Sequence, residues 1–125
     1  SEYVTYTIGD QVVSYPGTFT GGITQSGETA RFSDPSGDGV IVIGQESVSG
    51  SASDMMLEYY SKTGLTGEPE VNSASKTRYL ITYTKNGTVT HRKLVIKGST
   101  AVYYEISYSS TSEKKSEYEK ELEAL

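Results

Sequence analysis

Apolar and polar positions alternate through most of this chain, and a period of two is the mark of a strand with one face buried. Val4, Tyr6 and Ile8 alternate with Tyr3, Thr5 and Thr7. Gly9-Asp10 follows, with Gly at the first central position of a two-residue hairpin turn. Such a turn pairs Ile8 with Gln11, Tyr6 with Val13 and Val4 with Tyr15, which brings the apolar residues of both arms onto one face. A slip of one residue would undo that agreement, so the register is well specified. Pro16-Gly17 closes the second arm. The Gly/Thr-rich stretch from Phe19 to Gly27 reads as loop, and Glu28 to Ser33 as a short strand with Ala30 and Phe32 on one face. A turn cluster spans Asp34 to Gly39. The wholly apolar run Val40-Ile41-Val42-Ile43 then predicts a central strand covered on both sides.

Between Thr77 and Tyr108, β-branched and aromatic residues fill three runs separated by Asn86-Gly87 and by Gly98-Ser99-Thr100. This pattern predicts an antiparallel meander. Asn-Gly calls for a type I′ turn, which pairs Tyr79 with Leu94 and Leu80 with Lys93. One face then carries Tyr79, Ile81, Tyr83, Leu94 and Ile96. The other carries Leu80, Val89 and Val95 among Arg78, His91 and Lys93. Neither face is purely polar, so part of the sheet is expected to be covered on both sides.

Two segments change to a helical period. Gly50 to Thr63 predicts a first helix, capped by Ser51 or Ser53, with Asp54 near the positive end of its dipole and Gly64 just past its end. Thr66 to Ser75 is a connection with a short edge strand around Val71. Ser110 to Leu125 predicts a second helix. Ser110 and Glu113 form its capping box, and Tyr118, Leu122 and Leu125 form a narrow apolar stripe. Glu113, Glu117, Glu119, Glu121 and Glu123 with Lys114, Lys115 and Lys120 make its wet side. Strands, helix, strands, helix is an α+β order. The expected architecture is a single domain over 1–125, an α/β/α sandwich. Its central antiparallel sheet combines the N-terminal hairpin with the C-terminal meander, and helices flank it.

Composition narrows the function classes. The 125 residues carry a net charge of −5, which argues against nucleic acid, because phosphate binding needs surplus Lys and Arg. The same charge argues against an electrostatic membrane anchor. Without cysteine there are no thiol nucleophiles, thiolate metal sites or disulfides. Eleven tyrosines extend the buried area beyond the aliphatic set. No apolar run approaches the roughly 20 residues that span a bilayer. The first residue is Ser, and no basic-then-apolar leader precedes the first strand. The expectation is a mature chain, with a signal segment or a lipid-bearing Cys formerly upstream of Ser1.

The order of elements resembles the PsbP-like fold family, which includes the extrinsic photosystem II protein, bacterial DcrB-type envelope lipoproteins and a yeast nuclear-import factor that binds the GTPase Ran. The matching residues are Val12-Val13-Ser14-Tyr15-Pro16 ending an early strand, with Phe19 shortly after. Phe32, Asp34 and Gly37 lead into Val40–Ile43, and the helix, the meander and the terminal amphipathic helix follow in the same order. The resemblance covers nearly the whole chain. It implies an α/β/α sandwich whose relatives mostly bind partners and share no catalytic set, and fold alone cannot supply an activity.

Candidate chemistry is sparse. His91 is the only histidine, so any Ser-His-acid triad would have to use it. It lies within a strand beside Arg92 and Lys93, and no Gly-x-Ser-x-Gly elbow presents a serine, so it reads as an ordinary sheet-surface residue. Asp34 and Asp38 are the candidate ligands of a hard cation. Their spacing lacks the later Glu of a calcium loop, which favours a turn whose Asp bonds its own backbone. The glycine pairs lack the Gly-Lys-Ser/Thr of a phosphate loop. No cofactor is implied. Arg78, His91, Lys93 and Tyr103 are the candidate partner surface, because aromatic and Arg side chains are enriched at binding hot spots. Whether Tyr103 shares a face with the other three depends on the register of the second meander turn.

These readings converge on a non-enzymatic protein-binding or assembly module, the extracytoplasmic domain of a bacterial envelope lipoprotein, with another protein as partner. The alternative is a small-ligand or enzymatic domain with a pocket between sheet and helix, using Tyr hydroxyls, Arg92 and Lys93. A deep polar pocket would favour the alternative, and a filled interface would end it.

Overall fold

A computed structural model describes the backbone over residues 2–124 and the side chains over 2–121. The expected pairing of the first two strands is realised residue for residue. β1 (Tyr3–Ile8) and β2 (Gln11–Pro16) are antiparallel, with Ile8 opposite Gln11, Tyr6 opposite Val13 and Val4 opposite Tyr15. This hairpin does not join the central sheet, contrary to the sequence expectation, but forms a two-stranded sheet of its own. The physical reason is its inner face: Ile8, Val13 and Tyr15 are buried against Phe32, Ile41, Ile43 and Tyr104, so the hairpin stacks on the main sheet instead of extending it. The Tyr15 and Phe32 rings stack with centroids 4.2 Å apart, and Tyr6 meets the edge of Phe32 at 5.3 Å.

The main sheet has seven antiparallel strands: β3 (Gly22–Ser26), β4 (Thr29–Ser33), β5 (Val40–Ser47), β6 (Glu70–Ala74), β7 (Arg78–Lys85), β8 (Thr88–Lys97) and β9 (Thr100–Ser109). Their spatial order is β3-β4-β5-β9-β8-β7-β6. β3 falls inside the stretch read as loop. Its five residues are all exposed, so it carries no apolar alternation to betray it. β6 is the expected short strand around Val71, at the opposite edge, with an irregularity in register between Val71 and Ser73. The Asn86-Gly87 turn has both residues at positive φ (50° and 77°) and sets Tyr79 opposite Leu94, as a type I′ turn requires.

The aliphatic quartet lies in β5, with Ile41 and Ile43 fully buried and Val40 and Val42 half-buried. One face of that strand is therefore sealed and the other only partly covered.

Two clusters divide the core by sheet face. On the first face, α1 (Ala52–Ser61) buries Ala52, Met55, Met56 and Tyr60 against Ile81, Leu94 and Ala101. Ser51 caps this helix: its hydroxyl accepts from the Asp54 N–H at 3.0 Å, and the Asp54 carboxylate accepts from the Ser51 N–H at 3.0 Å. On the second face lie the hairpin and Tyr118 of α2 (Lys115–Ala124), packed with Phe19, Val89, Ile106 and Tyr108. α2 starts later than Ser110. Residues before it form turns, with the Ser112 hydroxyl accepting from the Lys114 N–H at 3.1 Å, so the expected Ser110–Glu113 capping box is not formed. Of the expected stripe, Tyr118 is buried; the Leu122 side chain and Leu125 lie outside the described residues.

Two glycines seat tyrosine rings. A Cβ at Gly44 would stand 2.4 Å from Cζ of Tyr103, and one at Gly39 would stand 2.7 Å from the Tyr118 ring. No helix among the described residues is long and apolar enough to cross a membrane.

Candidate functional site

The two helix–sheet interfaces differ. Beside α1 only a smaller cleft of about 170 Å³ is left, lined by Met55, Tyr59 and Arg92 among others. The Arg92 guanidinium lies between the Tyr59 ring, 3.8 Å from its centroid, and the Tyr103 ring, at 4.3 Å, and is ion-paired with Glu105. The Tyr59 and Tyr83 hydroxyls share a hydrogen bond of 2.6 Å. Burial, then the Glu105 charge, pushes the Tyr59 hydroxyl far above the usual phenol range. Arg92 is thereby committed to packing.

Beside α2 the sheet is left open. A groove of about 530 Å³ runs between α2 and the second face of β6, β7 and β8. Leu80 and Val89 give it an apolar base, Thr82 and His91 a polar one, and Glu70, Lys115 and Glu119 stand around it. Alternation explains the set: Leu80, Thr82 and Thr84 are every second residue of β7, as Val89 and His91 are of β8.

A line of hydrogen bonds crosses this base. The Thr82 hydroxyl donates to Asn72 Oδ1 at 2.6 Å, and it lies 2.8 Å from His91 Nδ1. A hydroxyl has one proton, so Thr82 must accept from His91, and Nδ1 carries the hydrogen. Nε2 lies 2.6 Å from the Tyr108 hydroxyl, which Glu119 also engages. Burial, and then the Glu119 charge, pushes the Tyr108 hydroxyl up to about 12. His91 is only 7% exposed. Burial holds its pKa below the usual histidine range, although Glu119 and Glu70 pull the other way. The neutral ring therefore prevails at pH 7, with both nitrogens engaged by the protein.

The expectation that His91 is a surface residue is thus corrected: cross-strand neighbours Thr82 and Ile106 and the Tyr108 ring enclose it. The candidate partner surface is also split. Arg78 and Lys93 share the face of His91, but the Gly98-Ser99 turn sets Tyr103 opposite Leu94, on the α1 face. Asn72, Thr82, Tyr108 and Glu119 were not singled out from the sequence. The strand period around Asn86-Gly87 does carry the signal for Thr82, which that register places opposite His91.

Asp34 and Asp38 serve the turn and the start of α2. The Asp34 carboxylate accepts from the Ser36 N–H (2.8 Å), the Ser36 hydroxyl (2.7 Å), the Tyr118 hydroxyl (3.1 Å) and the Lys114 ammonium (3.3 Å). Asp38 accepts from the Ser112 hydroxyl. Among the described residues no three His, Asp or Glu side chains stand close enough together to hold a metal ion. The chain matches no protein-family model, and no curated protein matches it.

Proposed function

We propose that the chain is a non-enzymatic binding module that meets its partner at the groove between α2 and β6–β8. The observation that carries this reading is the groove itself: about 530 Å³ of open space beside α2, with Thr82, His91, Glu70 and Glu119 converging on it. A volume of that order is typical of a ligand site, and a few polar groups over an apolar base give orientation and selectivity. The non-enzymatic part rests on His91. Its ring is 7% exposed and its nitrogens face Thr82 and the fully buried Tyr108, so neither is presented to a substrate. An assembly role for a bacterial envelope lipoprotein, and the α/β/α sandwich of the PsbP-like family, extend this reading and rest on the resemblance in strand and helix order.

The groove size also favours a second reading, a small polar ligand in place of a protein. One variant separates them. Thr84 lines the groove and is exposed, so Thr84→Arg obstructs it without entering the core. Envelope extracts passed over wild-type and Thr84→Arg protein should yield a protein retained by the first alone. A metabolite pool that raises the Tm of wild type alone supports the small ligand. Retention and Tm shifts indifferent to Thr84→Arg would remove the groove from both readings.

A further inference from the structure

Three cations stand at the other end of the same sheet face. Arg78 on β7 sits opposite Val95, Lys93 on β8 sits opposite Leu80 and Tyr104, and Lys97 is the next but one on that face of β8. Arg78 and Lys97 are exposed, but Lys93 is 7% exposed, with its Nζ 5.1 Å from the centroid of the Tyr104 ring. The ion pairs among the described residues are Lys62–Glu58, Arg92–Glu105 and Lys114–Asp34, so none of these three cations has a carboxylate partner. This holds in a chain with sixteen Asp and Glu and a net charge of −5. A largely buried ammonium without a counter-charge is costly.

The groups that face Lys93 add no negative charge: Arg78 from β7, Lys97 from its own strand and Tyr104 from β9. Burial, then Arg78 and Lys97, pushes the Lys93 ammonium down to about 8. Burial keeps the Tyr104 hydroxyl protonated, hence a donor. Gln45 Oε1 is the one enclosed side-chain polar atom lacking a hydrogen-bond partner among the described residues. Lys93 keeps 7% and Tyr104 8% of its surface exposed, and there a small group can meet them.

We propose that Arg78, Lys93, Lys97 and Tyr104 form a binding site for one oxyanion, the carboxylate or phosphate group of a small ligand. Two exposed cations draw the anion in, and Lys93 with the Tyr104 hydroxyl supplies donors at the base. The site restores the counter-charge that the fold withholds from Lys93. The proposal is independent of the groove, which lies toward His91.

The test is a titration of the whole chain with inorganic phosphate, and separately with acetate, followed at the Lys93 side-chain resonance. Saturable shifts are expected, with the Lys93 pKa rising from about 8. Calorimetry at pH 8 in buffers of different ionisation heat should record net proton uptake on anion binding, because burial and the neighbouring cations push the free Lys93 ammonium down to about 8. Lys93→Met and Arg78→Gln should each weaken phosphate binding about fivefold or more, while Lys76→Gln and Thr84→Arg should not. Should Lys93→Met fail to fold, Arg78→Gln and the Lys93 resonance still decide. The proposal falls if phosphate and acetate leave Lys93 unmoved, or if Arg78→Gln binds as tightly as wild type. It falls equally if an acidic peptide binds where both small anions do not.

Discussion

Replacing Asp34 tests whether one carboxylate fastens the start of α2 to the sheet. Asp34 is 5% exposed and receives four donors. In Asp34→Ala the two Ser36 donors are re-solvated at a cost of about 0.5–1 kcal/mol each. The Lys114 side chain is 42% exposed, so its contribution is discounted to a few tenths of a kcal/mol. Tyr118 is fully buried, and stranding its hydroxyl costs about 1–2 kcal/mol. The sum is about 3 kcal/mol, a large share of the stability of a small domain. Urea unfolding at pH 7 reads this as a lower midpoint with an unchanged slope. Tyr118→Phe removes the stranded hydroxyl, so Asp34→Ala and Tyr118→Phe together should cost about 1 kcal/mol less than their separate losses summed. Acid titration supplies an independent check. Burial alone would raise the Asp34 pKa, but the bonds from Ser36, Tyr118 and Lys114 outweigh it and hold the carboxyl below its ordinary value of 3.8. A depressed carboxylate adds stability that is present above pH 3.8 and is lost as pH falls through the lower folded value. Asp34→Ala should therefore flatten the stability profile below about pH 4. A variant within 0.5 kcal/mol of wild type, or one that keeps the full acid slope, would refute the reasoning.

His91 binds its proton less readily when folded, so the unfolded chain takes up protons first. Stability should fall as pH drops below about 6.5, and His91→Gln should lack that slope in urea titrations between pH 7 and 5. Gly44→Ala drives a methyl group into the Tyr103 ring and should cost about 1–3 kcal/mol, while Gly44→Ala with Tyr103→Ala should recover part of that loss in thermal unfolding. Ile43→Ala, at a fully buried site, should cost about 2–5 kcal/mol by urea unfolding. Ser51→Ala removes the first-helix cap and should cost about 1 kcal/mol, whereas Ser53→Ala should cost little, which the same denaturation series separates.

Local chemistry made the pairings legible. Gly9-Asp10 and Asn86-Gly87 fix their hairpins through turn geometry alone, and the structure follows both registers. The same rule was available at two further turns. Gly27, at φ +58°, lies between Ser26 and Thr29, and Gly98, at φ +64°, lies between Lys97 and Thr100. Read as two-residue turns, they place β3 beside β4 and Tyr103 beside Leu94. The destination of the first hairpin was not legible. Its apolar face fits the rim of a sheet or the top of one equally well, and only the shape of the Phe32–Ile41–Ile43 surface decides. The burial of His91 depends on Tyr108 and on where α2 docks, contacts far apart in the chain. Lys93 is likewise an ordinary strand lysine by its neighbours in sequence, and becomes unusual only when Arg78 arrives from β7.

The two margins of the seven-stranded layer are unlike. β6 carries Glu70 and a break in its ladder, both of which discourage another chain from continuing the sheet. β3 has neither: Gly22, Ile23, Thr24, Gln25 and Ser26 are uncharged, exposed and paired evenly with β4. A sheet with one adhesive border and one spoiled border can be continued by a twin about a two-fold axis at β3, but not at β6.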